Sequence, residues 1–225
     1  MTRAVLFDTE TTGLEPHRGD RIIEIAALEL FNDLPTGRFY HVLIDPERDV
    51  PEEATRVHGF RTSDLAGKPK FADIVDDLLA FFGDAQLIAH NAPFDFGFLN
   101  AELIRAGLPP LDMIRMIDTL EMAKLRFPGM PNSLDAMCRR FSIDLSARTT
   151  HNALLDCRLL AEVYIELTGG RQRGLMLETE AMPAPVAVYV HEGPRTSRVI
   201  VPLEEELAAH AALVARLKEP LWLAD

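Results

Sequence analysis

Residues 4–13 read AVLFDTETTG, an apolar strand that runs straight into two carboxylates one residue apart. Apolar strands belong in cores, where an unpaired carboxylate is expensive. Residues i and i+2 of a strand share a face, so Asp8 and Glu10 project together before Thr11, Thr12 and Gly13 turn the chain away. Acids also close strands simply where the chain meets water. The pair acquires meaning only from what surrounds it.

Outward from this strand (3–8), RIIEIAALELF (21–31) and GRFYHVLI (37–44) read as two more strands, with NDLPTG (32–37) as the turn between them. Such short connections predict an antiparallel meander. PEEATRVHGF (51–60) then reads as a short helix, and FADIVDDLLAFFG (71–83) as a longer one stopped by Gly83. A β-α alternation follows: strand 86–91, helix from Pro93 to Gly107, strand MIRMIDT (113–119) and a helix to about Arg126. NSLDAMCRRF (132–141) is a further helix with Asn132 or Ser133 as its cap. TTHNALLDCRLLAEVYIELTGG (149–170) carries the strongest helical pattern and ends at Gly169-Gly170. Three meandering strands followed by βα units predict an α/β fold, a mixed sheet with helices on both faces.

The composition fits one domain with an appendage. The chain has 225 residues, 48% of them hydrophobic, enough for a sizeable core. No apolar run approaches the ~20 residues of a membrane span, and Arg3 and Asp8 interrupt the N-terminus too early for a signal peptide. Cys138 and Cys157 lack metal-ligand spacing and read as buried thiols of a reducing cytoplasm. Residues 1–170 form the expected domain. Residues 171–200, with Pro183, Pro185 and Pro194, read as a linker in which VAVYV (186–190) is a short strand or a docking peptide. Residues 201–225 return to a helix with Leu203, Leu207, Ala211, Val214 and Leu217 on one stripe. The net charge of −12 opposes tight nucleic-acid binding, because phosphate contact needs cations.

Two further carboxylates break the apolar pattern. In HNAPFDFGFLN (90–100), Asp95 falls in the first turn of a helix, among Phe94, Phe96 and Phe98. The helix dipole alone favours an acid there, but the preceding apolar strand marks a common site location in parallel sheets. In HNALLDCRLLAEVY (151–164), Asp156 is surrounded by Leu154, Leu155, Leu159, Leu160 and Val163, a carboxylate in a position that reads as buried. His151 lies five residues earlier, about 140° round an ideal helix, so the two converge only if His151 precedes the helix or opens it. Gathered together, Asp8, Glu10, Asp95 and Asp156 repel and raise one another's pKa values. Divalent cations resolve that repulsion, and all-oxygen ligands suit Mg²⁺ or Mn²⁺. Two such ions about 4 Å apart clamp both oxygens of an in-line phosphoryl displacement. A neutral His151 beside them is placed to take a proton from the attacking water. The constellation predicts metal-dependent phosphodiester hydrolysis.

FDTETTG, HNAPFD and HNALLD, in this order, resemble the three motifs of the DEDDh 3′–5′ exonucleases, a family with a ribonuclease H-like fold. The resemblance implies that Asp8, Glu10, Asp95 and Asp156 ligate two divalent cations, Mg²⁺ or Mn²⁺, and that His151 is the general base. RIIEIAALEL, EATRVHGF, FPGMPNSLDAMCRRFSID and the C-terminal RVIVPLEEELAAHAALVARL are similar to the proofreading subunits of bacterial replicative polymerases. That likeness implies removal of mononucleotides from DNA 3′ ends, with His58 and Phe94 contacting the terminal nucleotides and Leu14 as an apolar wedge. A Phe face there stacks on any base. The likeness also implies that residues 201–225 bind the polymerase catalytic subunit. In RQRGLMLE (171–178), Gln172, Leu175 and Leu177 have the spacing of sliding-clamp-binding peptides, although Leu177 replaces the usual aromatic residue. An RNA-trimming exonuclease and a non-catalytic adaptor between polymerase and clamp are the alternatives.

Overall fold

A computed structural model describes residues 2–146, 148, 150–169 and 201–217. The chain divides into two compact units, with the break after Leu175. In the first, strands β1 (Arg3–Thr11), β2 (Ile22–Phe31) and β3 (Leu34–Leu43) are followed by helices α1 (Glu52–His58), α2 (Thr62–Leu65) and α3 (Phe71–Phe82). Then come β4 (Gln86–Ala89), α4 (Ala92–Arg105), β5 (Met116–Asp118), α5 (Thr119–Arg126), α6 (Leu134–Arg140) and α7 (Ala153–Leu167). The five strands form one sheet in the order β3-β2-β1-β4-β5, with β1–β3 antiparallel and β4 and β5 parallel to β1. This is the expected mixed sheet.

The period of two along β1 and β2 sorts the core into two layers. Val5 and Phe7, with Ile25 and Ala27, pack under α3 and α4. Phe7 anchors that layer against Phe82 and Phe96, with ring centroids 5.6 and 5.9 Å away. Ala4 and Leu6, with Ala26 and Leu28, pack under α6 and α7. Asp8 and Glu10 continue the second face, so the strand aims both carboxylates toward the start of α7. Cys138 and Cys157 are buried free thiols on this side.

Several boundaries depart from the sequence reading. The turn between β2 and β3 is Asn32-Asp33 alone, both at positive φ (50° and 64°), so Leu34 already pairs with Phe31 and LPTG belongs to the strand. Two-residue hairpins favour this left-handed geometry, which Asn and Asp tolerate. β1 runs to Thr11, past the expected end at Asp8. Residues 113–115 form a 3₁₀ turn, and only Met116–Asp118 is strand. The Asp112 carboxylate accepts from the Ile114 N–H at 2.9 Å, a local bond that competes with the ladder, and the Arg115 guanidinium reaches the distant Gly83 and Ala85 carbonyls. α2 carries no hydrophobic period. Asp64 opens it by accepting from the Arg61 N–H at 2.8 Å. The cap of α6 is Ser133, whose Oγ accepts from the Ala136 N–H.

A buried ion pair ties α4 to the sheet. The Arg21 guanidinium donates to both Glu102 oxygens at 2.6 and 2.9 Å, and Glu102 is 1% exposed. Removing Glu102 leaves the largely buried Arg21 with the weaker, half-exposed Glu47 at 3.7 Å. Glu102→Ala is therefore expected to destabilise the protein by about 3 kcal/mol, the low end for a broken buried pair. Urea unfolding at neutral pH measures it, and a loss under about 1 kcal/mol would place this pair with solvated surface pairs.

The second unit contains helix α8 (Glu204–Val214). Of the stripe expected there, Val214 is buried, while Leu203, Leu207 and Leu217 are exposed. The linker, the 172–177 peptide and residues 218–225 lie outside the described residues. No helix among the described residues is long and apolar enough to cross a membrane.

Candidate active site

The site forms where β1 ends, beside the first turns of α4 and α7. Asn152 caps α7, its side chain accepting from the Leu155 N–H, so His151 sits just before the helix and can swing toward Asp156. Glu10, His151 and Asp156 come together, with one donor atom from each within 4.8 Å of the others. His151 Nδ1 lies 3.4 Å from Asp156 Oδ2. Carboxylate, carboxylate and imidazole are a donor set that fits a divalent cation.

Asp8 and Asp95 stand outside this three-residue group but within its field. Asp8 shares a cavity of about 560 Å³ with Asp156, His151, His90 and Arg148. Its carboxyl is pushed well above the usual range by burial, then by Asp95, Glu10, Asp156 and Glu24. Burial, with Glu24, Asp156 and Asp95, pushes Glu10 up to about 8. Asp95 approaches from the opposite face of the sheet, where its Oδ1 accepts from the Thr9 N–H at 3.1 Å and hydroxyl at 2.7 Å. Burial raises Asp95 to about 7 despite those two bonds. Burial also works on Asp156, but the Arg148 bonds and His151 outweigh it and hold that carboxyl below its ordinary value. Three carboxylates raised by burial and, for Asp8 and Glu10, by neighbouring carboxylates gather at the end of β1, an arrangement that positive charge from a metal would relieve.

A second cleft, of about 640 Å³, adjoins Glu10 and is lined by Leu14, His58 and Phe94. Its size suits a small ligand such as a nucleotide. Leu14 is 78% exposed at the mouth, and Phe94 is half-buried, packed on Phe98 with ring centroids 4.9 Å apart. The Leu14 loop is closed by Asp20, which accepts from the Glu15 N–H and the Thr12 hydroxyl. A Cβ on Gly13 would meet Asp20 Oδ2 at 2.3 Å, so only glycine lets the loop close. His58 is buried and its Nδ1 accepts from the Phe60 N–H, which leaves the proton on Nε2, a buried atom with no partner within 3.5 Å among the described residues. Burial lowers its pKa against the opposing pull of Glu24 and the Thr11 backbone, so His58 lines the cleft as a neutral imidazole.

Four supporting residues escaped the sequence reading. Glu24 pairs across the strands with Glu10 and is fully buried. Its carboxylate accepts from Asn152 Nδ2 at 3.0 Å and the Ala153 N–H at 3.1 Å, which fixes the start of α7. Asp118 does the same for α4, its Oδ1 accepting from the Asn91 and Ala92 N–H groups at 2.9 and 3.2 Å. Thr9 holds Asp95, and Arg148 binds Asp156. A signal existed for Glu24, since a Glu amid the isoleucines of RIIEIA is the same anomaly that marked Asp156.

A family model described as exonuclease matches residues 5–164. The chain is 47% identical over 221 residues to DNA polymerase III subunit epsilon of Rickettsia conorii, covering 96% of each chain. It is 40% identical over 224 residues to the Escherichia coli protein of that name, covering 94% of this chain and 92% of the relative. Among solved structures, exonuclease X in complex with 5′-overhanging duplex DNA superposes with a TM-score of 0.57 at 25% identity, over 75% of this chain and 91% of that one. A zinc-bound E. coli exonuclease I–single-stranded DNA complex shares the fold, with a TM-score of 0.63 at 17% identity over 74% of this chain and 41% of the other. With an exonuclease match over most of its length and near-full-length relatives at these identities, the chain belongs to the exonuclease family and, within it, to the DNA polymerase III epsilon subunits.

Proposed function

We propose that the chain is the metal-dependent 3′–5′ exonuclease that proofreads for DNA polymerase III, and that Asp8, Glu10, Asp95 and Asp156 hold two Mg²⁺ or Mn²⁺ ions. The observation that carries this reading is the convergence of Glu10, His151 and Asp156 beside a cleft lined by Leu14, His58 and Phe94. Bound there, the ions would neutralise charge on the scissile phosphate. The remaining work falls to the chain. Phe94 stacks on the terminal base, Leu14 wedges it from its neighbour, and His58 donates from Nε2 to the nucleotide. His151 takes the proton from the attacking water. The water oxygen bonds to phosphorus as the bond to the 3′-oxygen breaks. That oxygen takes a proton from solvent and stays on the shortened strand as its new 3′-hydroxyl, and a nucleoside 5′-monophosphate is released. Frayed, mismatched ends cost less to unpair, so the site need not read base identity.

Residues 1–170 form the exonuclease domain in this reading, and 171–200 a linker whose Gln172, Leu175 and Leu177 engage the sliding clamp. Residues 201–225 bind the polymerase III alpha subunit, a role supported by the exposed Leu203, just before α8, and the exposed Leu207 on it. The protein would work in the cytoplasm. A net charge of −12 leaves little general attraction for DNA. Tethering would replace it, at an effective concentration on the order of mM.

Digestion of a 3′-mismatched DNA primer beside an RNA of matched sequence, with and without Mg²⁺, tests the proposal. Mg²⁺-dependent release of mononucleotides from the DNA is the expected result. Preference for RNA would favour an RNA-trimming enzyme, and no release from either would favour the adaptor.

A further inference from the structure

Among the described residues, Arg148 is a cation bonded directly to the candidate metal ligand Asp156, and the rest of its guanidinium goes to His151 and Asp135. Nε donates to Asp156 Oδ1 at 2.6 Å and Nη2 to Asp156 Oδ2 at 2.7 Å, a bidentate pair that engages both carboxylate oxygens. Nη2 also lies 2.9 Å from His151 Nδ1. Nη1 donates to Asp135 Oδ1, on the first turn of α6, at 2.6 Å. The Arg148 side chain is 10% exposed, so these bonds are made out of bulk water.

Two of the three residues that Arg148 binds, Asp156 and His151, belong to the three whose donor atoms converge. A lone pair accepting from a guanidinium is not free to ligate an ion, and a fixed positive charge at this distance repels a divalent one. Asp135 is different. Its side chain is 38% exposed and stands outside the converging group, so it can keep one arm of Arg148 after the others let go. Arg148 and a divalent ion are thus mutually exclusive sources of positive charge for Asp156.

We propose that Arg148 is a positioning residue that acts as an internal counter-cation, competing with divalent ions for Asp156 and so setting the ion concentration at which the centre fills. It neutralises Asp156 until an ion takes over that task, whereupon the guanidinium retires toward Asp135 and releases His151. The inference rests on the metal-centre reading above.

The test uses the full chain and Mn²⁺ alone, followed by titration calorimetry and by the Mn²⁺ paramagnetic resonance signal. Wild type, Arg148→Gln, Arg148→Lys and Asp156→Asn are compared. Arg148→Gln is expected to bind Mn²⁺ about tenfold more tightly than wild type, with Arg148→Lys between them because a lysine keeps the charge and loses the fork. In EDTA, Arg148→Gln should melt several degrees below wild type, and saturating Mn²⁺ should close that gap. A residue with a purely structural role would lower the melting temperature equally in both conditions and leave Mn²⁺ affinity unchanged. That result, or weaker Mn²⁺ binding by Arg148→Gln, overturns the proposal. If Arg148→Gln does not fold, Arg148→Lys decides by the same two readouts. Failure of wild type to bind Mn²⁺ more tightly than Asp156→Asn would instead remove the metal-centre reading, and the inference with it.

Discussion

Glu10→Gln is expected to abolish exonuclease turnover, by roughly 10³-fold or more, while making the metal-free protein more stable. Both effects come from one position. Glu10 is buried, faces Glu24 across the strands, and has Asp156 and Asp95 nearby, which together raise its carboxyl from about 4.5 to about 8. A group whose folded pKa is raised keeps a proton that the unfolded chain has already shed. Its contribution to stability is therefore full below pH 4.5, declines as pH rises, and is lost by about pH 8. Glutamine has the same shape and nothing to titrate. The variant should match wild type near pH 5 and exceed it by a few kcal/mol near pH 8, read by urea unfolding in EDTA at the two pH values. The gain and the loss of turnover then share a cause, because like charges gathered for a metal are a local burden on the fold. A variant no more stable than wild type at pH 8 would mean that the Glu10 carboxylate already has adequate compensation from the protein. The Arg148 guanidinium, which acts to lower Glu10, is the group that would supply it.

What the sequence revealed follows from the range of the forces involved. The mixed sheet and the helices on both of its faces were legible because periods of two and 3.6 are local, whereas the strand order β3-β2-β1-β4-β5 came only with the fold. Asp8, Glu10 and Asp156 stood out because each breaks its local pattern, and helical geometry set the condition that His151 must precede or open the helix, which the Asn152 cap of α7 meets. Leu14, His58 and Phe94 break no pattern. They were named by resemblance, and the fold gathers them into one cleft. Thr9, Glu24, Asp118 and Arg148 were missed because their roles depend on partners that strand register and loop paths bring in. The Asn152–Glu24 bond spans 128 residues, and the Thr9–Asp95 bond spans 86. The 3₁₀ turn at 113–115 was missed for mixed reasons. An apolar run suggested a strand, but the Asp112 carboxylate accepts locally from the Ile114 N–H, and Arg115 is drawn to the Ala85 carbonyl 30 residues away.

His151→Ala is expected to lower kcat by about 10²- to 10⁴-fold with little change in KM. The position invites a clean test because the side chain is 49% exposed and its loss opens no cavity in the core. The backbone N–H still donates to the Val57 carbonyl at 3.2 Å, and Asn152 still caps α7, so the segment keeps its path without the imidazole. Two roles are chemically open to the ring, and the geometry brings both within reach. As a base, it takes a proton from water, and its loss leaves the carboxylates to hold their ions. As a ligand, it shares an ion with Glu10 and Asp156, whose donor atoms lie within 4.8 Å of its own. Mn²⁺ titration of the variant separates them. Unchanged stoichiometry and affinity, with the loss confined to kcat and partly restored by added imidazole, assigns the base. Loss of an Mn²⁺ equivalent in step with activity would make His151 a ligand, and unchanged kcat would remove it from the chemistry. The base is the expected outcome, because four carboxylates already supply the hard oxygen donors that Mg²⁺ and Mn²⁺ prefer, and an imidazole is worth more to the reaction free to move a proton.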